Sequence, residues 1–361
     1  MHTKGNSTVN TLTSRLTTPT RYWYHWPLNA ISLVFKTISL INLKIKSLRP
    51  KYYPGAFIIS IDNLSFGGTG KTTLVAEIGK HLEQNHIKFA IVMRGYKSQF
   101  ETKGTKVQPH HNVREVGDEA KIFKTRFPQQ DIYVGKNRQN SIESAIADGN
   151  KVILLDDGFQ STHVHKNLEI MLFNPRHPFY YLRNFTFFMK QEDFILFYKS
   201  PGKYEYKYET NRQPEPGAGA GPICGTYDFE LEHFYDSEGN AVDIQDSPTA
   251  ASILGFSALG DNLRFKQDLS RLETRFKMVD FKAFNDHHTY SEEDIKFLNQ
   301  RRIELKADYL VCTEKDFIKI KHLNLPNLQQ IPLIYAKNSI KFNFGLMSHI
   351  IHEICKGERK K

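Results

Sequence analysis

Short apolar runs alternate with helical patterns from residue 56 to about residue 198, and this alternation limits the possible folds more than any other feature of the chain. Runs such as "AFIISID" and "KVILLDD" are almost continuously apolar, which is typical of strands buried on both faces of a sheet. Strands that alternate with helices predict an α/β fold with a mostly parallel sheet flanked by helices. Ligands of such sheets bind at the carboxyl ends of the strands, so we expect the functional residues there.

A second series of strands and helices follows the stretch "SPGKYEYKYETNRQPEPGAGAGPIC", which is rich in proline, glycine and tyrosine. That composition is typical of a linker or an exposed ribbon. The predicted domains are a disordered N-terminus over residues 1–20, a membrane-associating amphipathic segment over 21–50, a nucleotide-binding core over 51–200, a linker or ribbon over 201–222, and a second, smaller α/β domain over 223–361.

The segment over residues 21–50 carries tightly clustered aromatic residues at one end and lysines along the rest. As a helix rising ~1.5 Å per residue, its apolar part is long enough to match a bilayer. Lys36, Lys44 and Lys46 interrupt that part, however, and argue against a helix that spans the membrane. The pattern favours a helix lying in the headgroup region. The alternative is an amphipathic helix packed on the protein's own core.

The chain is basic, with a formal net charge of +10, and this favours polyanionic partners such as nucleic acid, nucleotide phosphates or an anionic membrane. Lysines and arginines are spread along the chain without a recognised nucleic-acid-binding signature, so we do not predict a nucleic-acid partner. The three cysteines lie far apart and form no CxxC pair, which predicts neither a disulfide framework nor a zinc site.

The stretch "SFGGTGKTT", residues 65–73, follows the first strand and opens a helix. Its glycines free successive backbone N–H groups to point at phosphate oxygens from a helix N-terminus. We expect Lys71 to reach the β- and γ-phosphates and the Thr72 hydroxyl to ligate Mg²⁺. The strict P-loop pattern has glycine where Ser65 stands, and the alternative is a glycine-rich turn without a ligand. The predicted nucleotide-binding residues are Gly67, Gly68, Thr69, Gly70, Lys71, Thr72 and Thr73.

An acidic pair, Asp156 and Asp157, ends the strand "KVILLDD". Nucleotide sites place carboxylates at such a strand end to reach the metal directly or through water. We therefore predict that both aspartates belong to a Mg²⁺ site with Thr72. The alternative is that they cap a turn.

Three further motifs place polar residues at the ends of predicted strands or at helix starts. In "VGDEAKIF", Asp118 is either functional or only a helix cap. In "FNDHHTYSEEDI", Asp286, His287 and His288 precede a helix start of capping-box form at Ser291. The two histidines are either a metal pair or an acid–base group held by a carboxylate. The motif "TEKD" crowds charged residues at a strand end.

Taken in order, "IDNLSFGGTGKTT", "VMRGYKS", "VGDEAKIF", "LLDDGFQ", "FNDHHTYSEEDI" and "LVCTEKDFIKI" resemble the tetraacyldisaccharide 4'-kinases, the lipid A 4'-kinase family. The resemblance spans residues 57–320, and an apolar, basic segment precedes it where that family carries its membrane-associating helix. The phosphate loop alone is generic, whereas the ordered set of GDE, DDGFQ, DHH and TEKD is specific.

The resemblance implies a P-loop NTPase-like kinase that transfers the γ-phosphate of ATP to the 4'-hydroxyl of a tetraacylated glucosamine disaccharide 1-phosphate, forming lipid IVA. It implies that Asp118 and His287 form the dyad that orients and deprotonates the sugar hydroxyl, with His288 as the other choice and Asp286 beside them. We expect Arg94 to support the phosphates or the lipid headgroup; the alternative is that it pairs with an acid across the sheet. The expected partners are ATP, Mg²⁺, the lipid and the inner-membrane surface, which the chain meets as a peripheral cytoplasmic monomer.

A membrane-associated P-loop ATPase that does not phosphorylate lipid is the alternative function. Such ATPases often carry a lysine just before the paired glycines, and Phe66 occupies that place here. ATP hydrolysis that ignores an acylated disaccharide would identify this alternative.

Overall fold

The computed structural model describes residues 25–46, 50–64, 69–159, 161–174, 193–198, 222–243, 250–286, 288–323, 325–326, 328–342 and 345–359. The predicted disordered N-terminus and, except for Pro222, the predicted linker lie outside the described residues. Gly67, Gly68 and His287 of the predicted site also lie outside them.

All strands of the described chain belong to one sheet of thirteen strands. They are β1 (Phe57–Asn63), β2 (Phe89–Met93), β3 (Thr105–Lys106), β4 (Asp131–Val134), β5 (Val152–Asp156), β6 (Leu168–Phe173), β7 (Phe194–Tyr198), β8 (Ile223–Tyr235), β9 (Ala241–Val242), β10 (Ala251–Ser257), β11 (Phe276–Ala283), β12 (Tyr309–Thr313) and β13 (Leu333–Phe342).

Nine α-helices are present in the described part of the chain. They are α1 (His25–Lys46), α2 (Lys71–Gln84), α3 (Val113–Val116), α4 (Asp118–Arg126), α5 (Arg138–Ala147), α6 (Asn262–Ser270), α7 (Glu292–Glu304), α8 (Glu314–Lys321) and α9 (Leu346–Arg359). The capping box predicted at Ser291 is confirmed at the start of α7.

The central strands are apolar at consecutive positions because helices cover both faces of the sheet. Ile59 and Leu154 pack into one buried cluster together with α2 and α4. Their neighbours Ile58 and Ile153 belong to a different cluster. The predicted fold, a mostly parallel sheet flanked by helices, is confirmed.

The sheet consists of two parallel blocks. The first block has the order β7-β6-β1-β5-β2-β4 and the second has the order β11-β10-β12-β13. Strand β8 pairs parallel with β7 and antiparallel with β13, so it joins the two blocks into one sheet. The predicted division of the chain into two domains stays a prediction, and β8 gives both parts a shared sheet.

Because β8 and β13 are antiparallel, the carboxyl ends of the two blocks face each other. In the first block, Tyr198 at the end of β7 pairs with Tyr227, and β8 continues beyond that edge. In the second block, Thr313 at the end of β12 pairs with Ala336, which in turn pairs with Phe234 near the end of β8. The middle of β8 therefore spans a gap between two sets of strand ends, the position where ligands of parallel sheets bind.

Helix α1 leaves an apolar stripe exposed. Ile31, Val34, Ile38 and Ile41 recur at helical spacing, and each is more than half exposed, whereas Lys36 is buried. Among the described residues, no helix combines the length and the apolar character needed to cross a membrane.

Gly70 is the residue on which the approach of β8 to the phosphate loop depends. It caps α2 in the left-handed region with φ +89°. A Cβ atom at this position would lie 2.2 Å from Cζ of Phe229 in β8. Only glycine therefore satisfies both the backbone conformation and the contact.

We expect Gly70→Ala to destabilise the protein more than Gly149→Ala does. Gly149 also has a positive φ, but a Cβ there would meet nothing within 4 Å, so that variant carries only the left-handed penalty of about 1–2 kcal/mol. Gly70→Ala adds the clash with Phe229, and Phe229→Ala removes that clash. Urea unfolding of Gly70→Ala, Gly149→Ala, Phe229→Ala and the double variant Gly70→Ala/Phe229→Ala measures the difference, and equal losses for both glycine substitutions would refute the role of the contact.

Candidate functional site

A cavity of about 190 Å³ lies between the facing strand ends. The first block contributes Thr69–Thr73 of the phosphate loop, together with Glu119 and Arg126 from α4. The second block contributes Arg264 from α6 and Thr313–Lys315 from the start of α8. The GKTT and TEKD motifs therefore line opposite walls of one cavity.

The described end of the phosphate loop is held by both β1 and β8. The side-chain amide of Asn63 donates to Thr69 Oγ1 at 2.8 Å, and the Tyr227 hydroxyl donates to the Thr69 carbonyl at 2.9 Å. Lys71 at the start of α2 donates to Asp157 Oδ1 at 2.6 Å. The predicted lysine and strand-end carboxylate are thus in direct contact.

Asp156 lies beside this pair and is only 5% exposed. Burial raises the pKa of its carboxyl to about 7; Lys71 opposes the rise, whereas Glu119 and Asp157 add to it. Its Oδ1 atom is buried without a hydrogen-bond partner among the described residues. A buried carboxylate oxygen without a donor is a site that a cation can fill.

These donors fit Mg²⁺. No group of three His, Cys, Asp or Glu side chains that could hold a metal occurs in the described chain. A nucleotide-bound Mg²⁺ does not need one, because one or two carboxylates suffice beside the phosphate oxygens and water. The Thr72 hydroxyl and the unpartnered oxygen of Asp156 supply such a set.

The GDE motif places Glu119 in the lining of the cavity and Asp118 beside the lining residue Lys315. Gly117, and not Asp118, occupies the N-cap position of α4, and Asp118 is the first helical residue. Asp118 Oδ2 lies 3.3 Å from Lys315 Nζ. Glu119 Oε1 accepts a hydrogen bond from the Thr72 hydroxyl at 3.1 Å. Glu119 is not among the predicted site residues, although its place next to Asp118 at a helix start is a signal in the sequence.

The TEKD motif connects the two blocks. Arg126 of α4 donates through Nε to both carboxylate oxygens of Glu314, each at 3.1 Å, and its Nη2 also contacts this carboxylate. The next residue, Lys315, reaches Asp118 and Glu119. The crowded charges of this motif are visible in the sequence, but their pairing with α4 is not, because Arg126 and Glu314 lie 188 residues apart in the chain.

The loop that carries the DHH motif lies next to Asp118. Lys319 Nζ donates to the His288 carbonyl at 3.4 Å and lies 3.9 Å from Asp118 Oδ2. One ammonium group therefore bridges Asp118 and the residue that follows His287. The Tyr290 hydroxyl donates to buried Asp316 at 3.0 Å and fixes the loop on α8.

His288 and Asp286, the neighbours of His287 in the chain, have different contacts. The His288 imidazole lies 3.0 Å from Asp294 Oδ2 and stacks on Phe284, so its ring is committed to the start of α7. Asp286 lies close enough to Lys315 to help raise the pKa of that ammonium. Asp118 and Asp286 are thus both neighbours of Lys315, a residue that lines the cavity.

Arg94 pairs with a nearby acid in its own loop. Its Nε donates to Glu101 Oε1 at 2.7 Å, and the Lys97 backbone N–H donates to the other oxygen of the same carboxylate at 2.8 Å. The acid is therefore seven residues further along the chain and not across the sheet. The predicted support of phosphates or headgroup by Arg94 stays a prediction.

Comparison with known proteins gives one consistent result. Residues 24–355 match the family described as tetraacyldisaccharide-1-P 4'-kinase. The tetraacyldisaccharide 4'-kinase of Desulfotalea psychrophila is 26% identical over 309 residues, which cover 82% of this chain and 87% of that protein. The enzyme of the same name from Chlamydia caviae is 26% identical over 326 residues, which cover 87% of this chain and 85% of that protein.

A solved structure shares the fold. LpxK from Aquifex aeolicus, crystallised in complex with ATP, superimposes with a TM-score of 0.69 at 21% identity. The match covers 92% of this chain and 99% of that chain. At this identity, the likeness supports the fold.

We expect the Arg126–Glu314 pair to couple the two blocks energetically. The side chains are 21% and 9% exposed, and removing one partner of a largely buried pair costs about 3–5 kcal/mol as an upper range. Arg126→Met and Glu314→Gln should each lower the free energy of unfolding. The double variant should lose less of this free energy than the sum of the two single losses. A double-mutant cycle in urea measures this coupling.

The exposed Lys51–Glu143 pair, with side chains 51% and 48% exposed, is the matched control. Such surface pairs contribute about 1 kcal/mol or less. If the coupling energy of Arg126 and Glu314 is no larger than that of this surface pair, the prediction is wrong.

Proposed function

The chain belongs to the tetraacyldisaccharide-1-P 4'-kinase family, and we propose that it transfers the γ-phosphate of ATP to the 4'-hydroxyl of a tetraacylated glucosamine disaccharide 1-phosphate. The protein is a lipid kinase of lipid A biosynthesis. The observation that carries this proposal is the cavity in which the GKTT loop faces the TEKD motif, whose Lys315 contacts Asp118. The alternative, an ATPase that does not phosphorylate lipid, is not favoured, because the family match includes both blocks of the sheet.

The proposed nucleotide site lies on the wall formed by the first block. Successive backbone N–H groups at the start of α2 bind phosphate oxygens, and Lys71 reaches them when it leaves Asp157. The Thr72 hydroxyl and Asp156 would hold Mg²⁺, with Asp157 beside them. When bound, Mg²⁺ neutralises charge on the β- and γ-phosphates.

The proposed acceptor site lies on the Asp118 side of the cavity. Asp118 and His287 orient the sugar hydroxyl, and His287 takes its proton as the acceptor oxygen bonds to the γ-phosphorus. The bond between that phosphorus and the β–γ bridging oxygen breaks, and ADP carries the leaving oxygen. Proximity and charge neutralisation supply most of the rate enhancement in such reactions. A positioned base increases the rate by about 10²–10⁴-fold.

The proposed location is the cytoplasmic face of the inner membrane. The exposed apolar stripe on α1 supports this, because apolar side chains at helical spacing can enter the acyl boundary while the helix lies flat. The formal net charge of +10 suits an anionic surface and an anionic lipid headgroup.

We expect the purified protein to convert a monophosphorylated tetraacyl disaccharide to a bisphosphorylated lipid with γ-labelled ATP and Mg²⁺. Lys71→Ala should lower kcat by about 10²–10³-fold or more, because it removes a charge that stabilises the transferring phosphoryl group. Labelled lipid, separated by thin-layer chromatography, is the readout. Release of labelled phosphate without labelled lipid would identify the ATPase alternative.

Paired histidine variants test the proposed base. His287→Ala should lower kcat far more than it raises the KM for ATP, whereas His288→Ala should have the smaller effect because Asp294 and Phe284 hold that ring. A loss of ATP binding alone in His287→Ala would show that the base is assigned wrongly.

We expect deletion of residues 1–48 to reduce recovery of the protein with anionic phospholipid vesicles. The full-length variant Ile31→Ser/Val34→Ser/Ile38→Ser is the matched test, because it removes only apolar side chains that are already exposed. Vesicle flotation measures the bound fraction. Unchanged flotation of both proteins would refute membrane association through α1.

A further inference from the structure

Two lysines from different blocks of the sheet line the same cavity. Lys71 comes from the phosphate loop, and Lys315 comes from the first turn of α8. The proposed mechanism uses Lys71 but gives no task to Lys315. The side chain of Lys315 is nevertheless only 22% exposed, and burying an ammonium group is costly unless it has anionic partners.

Glu119 Oε1 links the Lys315 ammonium to the phosphate loop. This one oxygen lies 3.1 Å from the Thr72 hydroxyl and 3.8 Å from Lys315 Nζ. Lys315 Nζ also lies 3.3 Å from Asp118 Oδ2. The ammonium group is therefore connected through Glu119 to the hydroxyl predicted to face Mg²⁺, and it lies directly beside the carboxylate predicted to face the acceptor.

The carboxylates around Lys315 keep its ammonium group charged. Burial alone would lower the pKa of the ammonium, but Asp118, Glu119 and Asp286 outweigh it and raise the pKa above the ordinary value for lysine. Lys315 is consequently a full positive charge at every physiological pH.

The contacts of Lys315 are also loose enough to be exchanged. They measure 3.3 and 3.8 Å, longer than the ~2.7–2.9 Å of a strong charge-assisted hydrogen bond. Contacts that link α4 to α8 are already supplied by Arg126 with Glu314 and by Lys319 with Asp118.

We propose that Lys315 is a catalytic cation that the second block supplies to the γ-phosphate, contacting its oxygens while the phosphoryl group passes to the acceptor. The inference rests on the proposed function for its reaction. Lys315 would leave its carboxylate contacts for the phosphate oxygens and stabilise the charge that develops as the bond to ADP breaks. Because Lys71 and Lys315 lie on opposite walls, the reacting phosphoryl group would be held from both blocks.

Nucleotide discrimination tests this role without any lipid. Calorimetry gives the Kd of ADP and of the β,γ-methylene analogue of ATP for the wild type and for Lys315→Met. Removing a cation that contacts only the γ-phosphate should raise the Kd of the analogue by about 10–100-fold and leave the Kd of ADP unchanged within about twofold. Lys315→Arg, which keeps the charge, should retain most of the discrimination.

Lys321→Met is the matched control. It removes the same charge from the last turn of the same helix, where Lys321 is exposed, and it should change neither Kd. An equal rise in the Kd of ADP and of the analogue in Lys315→Met would show that Lys315 only positions α4. No weakening of either nucleotide would show that Lys315 does not touch phosphate. Both results would overturn the proposal.

Turnover separates this proposal from the proposed function. In the labelled-lipid assay, Lys315→Met should lower kcat by about 10²–10³-fold with little change in the KM for the disaccharide. If the wild type itself labels no lipid, the proposed function fails, and the ratio of the two Kd values still decides whether Lys315 contacts the γ-phosphate.

Discussion

The antiparallel pairing of β8 with β13 is the interaction on which the rest of the structure depends. Each block of the sheet is parallel within itself, and a parallel block presents its ligand-binding strand ends at one edge only. By pairing parallel with β7 and antiparallel with β13, β8 turns the second block so that its edge faces the first. The phosphate loop and the TEKD motif then line one cavity instead of two separate clefts.

Strand β8 also sets the local geometry of the phosphate loop. Its Tyr227 hydroxyl holds the Thr69 carbonyl, and its Phe229 ring occupies the space that a side chain at Gly70 would need. The Arg264 guanidinium lies over the same Phe229 ring, 4.2 Å from its centroid. The element that joins the two blocks is thus the element on which the nucleotide loop rests.

Charge is distributed across the cavity in pairs. Lys71 faces Asp157, Arg126 faces Glu314, and Lys315 faces Asp118. Only Arg126 and Glu314 make a multiple, closely bonded contact, which suits a permanent link between α4 and α8. The Lys71 and Lys315 ammonium groups face carboxylates that a bound triphosphate could replace as partners, and this supports a cavity built to hold a polyanion from two sides.

The sequence by itself determined the fold class, the family and the segments that form the cavity, because apolar periodicity and ordered motifs are local patterns. Strand β8 was not predicted, although "TYDFELEHFY" carries a local signal in which Tyr227, Phe229 and Leu231 alternate with polar residues. The irregular register between Lys337 and Asn338 interrupts that alternation. Only the tertiary structure decided which charges meet, such as Arg126 with Glu314 and Lys315 with Asp118. Those pairs join residues almost 200 positions apart, and their contact depends on the direction in which the second block is turned, which no local pattern encodes.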